Sequence, residues 1–104
     1  MKTIFHKLVR DKIPQIIEAQ GETPHVRILD HAEYAKCLEE KLDEEVREYH
    51  EGQNPEELAD ILEVVFALSE NLGCSKEELL EIYQEKHEKR GGFHDRIFLI
   101  SKEG

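Results

Sequence analysis

The feature that most constrains the fold is a short break between two long helical patterns. The first pattern runs to Tyr49, and Gly52, Asn54 and Pro55 interrupt the chain before the second begins. Asn54 is a favoured N-cap residue, and Pro55 suits the first position of a helix. Because so short a connection joins antiparallel neighbours, we predict a helical hairpin folded about this break.

Acidic residues lie on both sides of the break. Glu45 and Glu48 close the first helix, and Glu57 and Asp60 open the second. Each pair is spaced i, i+3, so its carboxylates share a helix face. Folding the chain about the break brings residue 48 level with 57 and 45 with 60. Clustered carboxylates repel unless protons or a cation lie between them, and Mg²⁺ prefers carboxylate oxygens. The spacing therefore predicts a metal site.

A purely structural role is the alternative for most of these acids. Glu57 is the third helical residue after Asn54 and would suit the return arm of a capping box. Glu45 and Glu48 would also suit a solvated acidic face. Asp60 has no such explanation, because it lies in an otherwise apolar run. The metal hypothesis depends on all four acids meeting across one turn.

Two further acids and two basic groups are candidates. Glu44 lies nearly opposite the apolar stripe of its helix, and Glu63 is either a fifth ligand or a core acid paired with a basic residue. Two sets of basic residues are candidate phosphate contacts. The first is Lys86 with Arg90, which could instead interact with the helix dipole. The second is Lys7 with Arg10 and Lys12, which could instead form a solvated basic edge.

The remaining patterns predict one all-α domain over residues 1–104. Capping boxes start helices at Asp30 and Ser75. Residues 25–29 and 97–100 read as two short paired strands. Residues 58–68 are apolar nearly all round, which indicates a helix buried on most sides. We therefore expect an antiparallel helical bundle with a small two-stranded β element, completed by homodimerisation.

Composition limits the function classes. The formal net charge of −10 argues against a nucleic-acid polymer as partner. No apolar run is long enough to span a membrane, and residues 1–7 lack the apolar stretch of a signal peptide. Cys37 and Cys74 form neither a disulfide framework nor a zinc motif, which favours the cytoplasm.

The acidic pattern also carries a family resemblance. Glu44-Glu45-Val46-Arg47-Glu48, followed by Glu57-Leu58-Ala59-Asp60, resembles the E-E-x-x-E … E-x-x-D signature of the MazG-like, all-α nucleoside triphosphate pyrophosphohydrolases. Phosphoribosyl-ATP pyrophosphohydrolase and the dimeric dUTPases are related to that family. The stretches at 7–14 and 90–93 resemble the ends of a compact branch of it.

The resemblance implies a dimeric, Mg²⁺-dependent enzyme that releases a nucleoside monophosphate and pyrophosphate, with Mn²⁺ as a substitute cation. Glu45, Glu48, Glu57 and Asp60 match the metal ligands, and Glu45 or Glu48 would deprotonate the attacking water. House-cleaning of the nucleotide pool is the expected role. The alternatives are phosphoribosyl-ATP hydrolysis, a non-catalytic module that binds metal or nucleotide, and a purely structural helical dimer.

Overall fold

A computed structural model describes residues 1–104, and all of its regular secondary structure is helical. The helices are α1 (Ile13–Ala19), α2 (His31–Gly52), α3 (Pro55–Asn71) and α4 (Lys76–Arg90). The predicted all-α class is confirmed. None of these helices combines the length and the apolar character that crossing a bilayer requires.

The predicted hairpin of α2 and α3 is confirmed, and its ends are set by local capping. At the start of α2, the backbone N–H of Glu33 donates to the Asp30 carboxylate at 2.9 Å, and the Glu33 side chain completes the capping box. Gln53, with φ of 48°, ends α2 in the left-handed region. Asn54 then accepts a hydrogen bond from the backbone of Glu57 at 3.0 Å and starts α3. The helices pack against each other on either side of this turn.

The outer helices are attached more loosely. α4 starts with a capping box at Ser75 and packs on α3 alone. Residues 81–90 of α4 are all exposed. α1 packs against no other helix. The molecule is therefore long, with a largest extent of 64 Å.

The core of a single chain is small. Leu38 of α2 and Val64 of α3 are the buried apolar side chains. The expected burial of α3 on most sides is seen only in part, because Leu58 and Leu62 are 47% and 52% exposed. One face of α3 thus remains uncovered in the single chain.

The predicted pair of strands is wrong. Residues 25–29 and 97–100 have no regular structure and form no ladder. Apart from the half-buried Leu29, their apolar side chains lie in solvent; Ile28 and Ile100, for example, are 92% and 90% exposed. Two short strands are stable only when they pack on something else, and neither segment finds a helix to cover it.

Candidate metal centre

Glu45 is the buried acid at the centre of the hairpin. It is only 8% exposed, and its Oε1 lies 3.5 Å from Nζ of Lys41. Its Oε2 is buried and has no hydrogen-bond partner. A buried carboxylate oxygen without a partner costs free energy, so its presence points to a ligand or a proton that satisfies it.

Two groups of carboxylates share Glu45. One lies along α2 and contains Glu44, Glu45 and Glu48; the other crosses the hairpin and contains Glu45, Glu57 and Asp60. Within each group the oxygen atoms that would act as ligands lie within 4.8 Å of one another. The structure therefore gathers the predicted acids as two overlapping sets that meet at Glu45, and it adds Glu44.

The Glu57 side chain does not form the capping box that was its alternative role. Its backbone N–H is capped by Asn54, but its side chain does not return to complete a capping box, in contrast to the boxes that start α2 and α4. Instead, Oε2 of Glu57 is buried without a hydrogen-bond partner. The hairpin thus holds two unsatisfied carboxylate oxygens, one from each helix.

Burial and the neighbouring acids perturb Glu45. Burial raises the pKa of Glu45 above its usual range, and the charge and hydrogen bonding of Glu48 raise this pKa further. Asp60 acts in the same direction, whereas the ammonium group of Lys41 opposes the shift. A cation at this position would relieve the same repulsion that a proton relieves.

Three basic side chains contact the acids. Nζ of Lys41 lies 3.2 Å from Oε2 of Glu44, and Nζ of Lys7 lies 3.7 Å from its Oε1. A guanidinium nitrogen of Arg10 lies 2.7 Å from Oδ1 of Asp60. Lys41 precedes Glu44 by three residues and Glu45 by four, and this helical spacing indicates the contacts from the sequence alone. Arg10 and Asp60 are 50 residues apart, and no local pattern links them.

Several other candidate residues lie outside this arrangement. Glu63 is exposed and belongs to neither carboxylate group. Lys12, Lys86 and Arg90 are exposed and form no ion pair with the acids. The cations that contact the centre therefore come from the N-terminal segment and α2.

Two open cavities of the chain lie apart from the acids. An open groove of about 540 Å³ lies between the start of α2 and the end of α3, with Leu42, Leu68 and Leu72 among its lining residues. A smaller one of about 160 Å³ is formed by residues 90–97. Neither is lined by a carboxylate of the centre.

Part of the chain is similar to a known protein. A stretch of 42 residues is 55% identical to an uncharacterized protein of Mycolicibacterium smegmatis, and it covers 40% of this chain. The similarity spans 43% of that protein's length. No protein-family profile matches the chain, and no solved structure is similar to it.

Proposed function

We propose that this chain is a Mg²⁺-dependent nucleoside triphosphate pyrophosphohydrolase acting on the cytoplasmic nucleotide pool. The observation that carries the proposal is the buried Glu45, whose unpartnered Oε2 lies where two carboxylate groups meet. Hard divalent cations prefer carboxylate oxygens, and the donor set here consists of carboxylates alone. The acids also occupy the positions of the MazG-like signature, which is the source of the proposed substrate class and of the bond that is cleaved.

The proposed roles follow from position and charge. Glu45, Glu48, Glu57 and Asp60 hold the cation, and Glu44 lies beside them. Mg²⁺, when bound, neutralises phosphate charge and makes a nearby water more acidic. Glu45 belongs to both carboxylate groups, so it lies beside any water at the cation and is a candidate base to deprotonate that water. Glu48 is the other candidate base.

The proposal includes a homodimer. The apolar side chains left exposed on α3 and α4 belong to helices that a second copy would cover; they include Leu58, Leu62, Leu80 and Ile82. Burial of such side chains is the main driving force of association between subunits. A second copy would also add walls around a nucleotide bound beside the acids.

One observation favours a second candidate, a module that binds metal or nucleotide without turnover. Lys86 and Arg90, the predicted phosphate contacts, form no ion pair with the acids, and the small cavity that Arg90 lines includes none of the acids of the centre. A binding module needs the acids but not a full set of groups that stabilise the transition state.

The test is pyrophosphate release from a panel of ribo- and deoxyribonucleoside triphosphates and phosphoribosyl-ATP, with and without Mg²⁺. We expect Mg²⁺-dependent release that Glu48→Gln lowers by at least about 100-fold while the exposed control Glu63→Gln leaves it intact. Phosphoribosyl-ATP as the preferred substrate would redirect the function to that reaction. Nucleotide binding without release would favour the binding module.

A further inference from the structure

The N-terminal segment reaches the acidic centre through two basic side chains. Lys7 pairs with Glu44 at 3.7 Å, and Arg10 pairs with Asp60 at 2.7 Å. Asp60 belongs to the carboxylate group that crosses the hairpin, and Glu44 to the one along α2. Each group is thus partly neutralised by a cation from outside the hairpin.

This attachment is made by side chains. No backbone hydrogen bond joins residues 1–9 to the hairpin, and α1, which follows Arg10 closely, packs against no other helix. The side chains of Arg10 and Asp60 are 53% and 42% exposed, and such half-exposed ion pairs contribute little to stability. Arg10 is therefore able to leave Asp60 without disturbing the helices.

Lys41 differs from these two residues. It is rooted on α2, its side chain is only 17% exposed, and it contacts both Glu44 and Glu45. Lys41 lies on α2, which packs against α3, whereas Lys7 and Arg10 precede α1 on a separate segment. Of the basic groups at the centre, those on the N-terminal segment are the ones free to change partners.

A divalent cation and Arg10 compete for the same carboxylate. Oδ1 of Asp60 already accepts a hydrogen bond from the guanidinium group, and two positive groups on one carboxylate repel each other. A guanidinium group also binds phosphate oxygens in a two-point geometry as readily as it binds a carboxylate. Displacement from Asp60 would leave Arg10 beside the cation, where the phosphates of a triphosphate would lie.

We infer that Arg10 exchanges partners during substrate binding. It neutralises Asp60 while the cation site is empty, and it moves to the phosphate oxygens of the nucleotide once a divalent cation takes Asp60. Arg10 is thus a substrate-binding residue held in place by a metal ligand. This inference rests on the proposed function, because it assumes a cation site and a polyphosphate substrate.

The test measures two affinities in Arg10→Gln. Mn²⁺ binding without nucleotide is followed by electron paramagnetic resonance, and binding of a non-hydrolysable triphosphate analogue in saturating Mn²⁺ is followed by calorimetry. The variant should bind Mn²⁺ about two- to fivefold more tightly, since one half-exposed competitor is gone. It should bind the analogue about tenfold more weakly, since a charged phosphate contact is lost.

Arg27→Gln is the matched control. It breaks another exposed arginine–carboxylate pair, Arg27–Glu33, whose atoms are also 2.7 Å apart and which is not part of the acidic centre. Both affinities should stay unchanged in it. Unaltered affinities in Arg10→Gln, or a loss of both, would overturn the exchange. If the wild type binds Mn²⁺ but Arg10→Gln gives such a result, this inference alone fails; a wild type that binds no Mn²⁺ removes the proposed function as well.

Discussion

At the scale of single residues, burial of the Glu45 carboxylate without a partner for Oε2 carries an energetic cost. Its pKa is raised because it is buried beside Glu48 and Asp60, so the ionised form destabilises the folded chain at neutral pH. Glu45→Gln should therefore raise the melting temperature in EDTA, by about 4–8 °C if the gain is about 1 kcal/mol. Differential scanning calorimetry measures this.

The exposed Glu63 provides the control for that gain. Glu63→Gln should leave stability within about 0.5 kcal/mol, since a surface substitution of this kind disturbs no contact. A Glu45→Gln protein that melts below the wild type, with Glu63→Gln neutral, would show that Glu45 stabilises the fold and would weaken its assignment to a metal site.

Sequence reasoning brought the acids together and named Lys7 and Arg10 as candidate phosphate contacts, but it did not pair these cations with the acids. Glu45 and Glu48 precede the break, and Glu57 and Asp60 follow it. Helix periodicity and a short turn fix which helix faces approach each other, so this spacing was enough to predict that the acids come together. The pairing of Arg10 with Asp60 joins residues 50 apart. It depends on the path of an irregular segment, which no periodicity predicts.

At the scale of the elements, the start of α2 is sensitive to pH through Glu33. The hydrogen bonds from the Arg27 guanidinium lower the pKa of Glu33 from its ordinary 4.5 to about 2. Because the folded pKa is depressed, the stabilisation is complete above the unfolded value and is lost as the pH falls towards 2. Arg27→Gln should therefore be less stable than the wild type near neutral pH, and the difference should shrink on acidification.

Urea titrations at about pH 6.5 and about pH 3 measure that difference in the free energy of unfolding. Arg47→Gln is the comparison, since Arg47 is an exposed arginine of α2 that forms no ion pair. A deficit in Arg27→Gln that is as large at the lower pH would show that the Arg27–Glu33 pair does not set the pH response.

The turn between α2 and α3 controls where Glu57 points. A Cβ at Gly52 would lie 3.1 Å from Nδ2 of Asn54 and 3.3 Å from Cγ of Glu57, so both side chains would have to shift. Gly52→Ala should weaken Mn²⁺ binding by about tenfold, although alanine favours the helix by up to about 1 kcal/mol. Electron paramagnetic resonance measures the affinity.

Gly92→Ala serves as the control, because its Cβ would meet His87 at an ordinary 3.5 Å. Unchanged Mn²⁺ affinity in Gly52→Ala would show that the position of Glu57 is irrelevant to the cation.

The helices were predictable from the sequence and the strands were not. Capping residues such as Asp30, Asn54 and Ser75 act on their own neighbours, so local sequence defines where helices begin. The segments at 25–29 and 97–100 have the composition of strands. A strand also needs a partner and a covered face, and composition does not report whether either exists.

At the scale of the whole molecule, the single chain buries little apolar surface. Only Leu38 and Val64 are buried apolar residues, and Leu62 on α3 is 52% exposed. We predict a dimer whose interface includes α3. Burial of a leucine contributes about 1.5–3 kcal/mol, so Leu62→Glu should weaken the dimer by at least about tenfold.

Analytical ultracentrifugation over a range of concentrations measures that shift. Ile28→Glu, in the irregular segment before α2, should leave the association unchanged. A wild type that stays monomeric throughout would exclude the dimer and, with it, a site completed by a second copy.

A calorimetric titration of the metal-free protein with Mg²⁺ tests most directly whether the acids around Glu45 form a metal centre. Wild type and Glu63→Gln should bind Mg²⁺ with equal affinity, and Glu45→Gln should lose at least about tenfold, since Glu45 belongs to both carboxylate groups. No binding by the wild type, or equal binding by Glu45→Gln, would contradict the assignment of the acids around Glu45 as a metal centre.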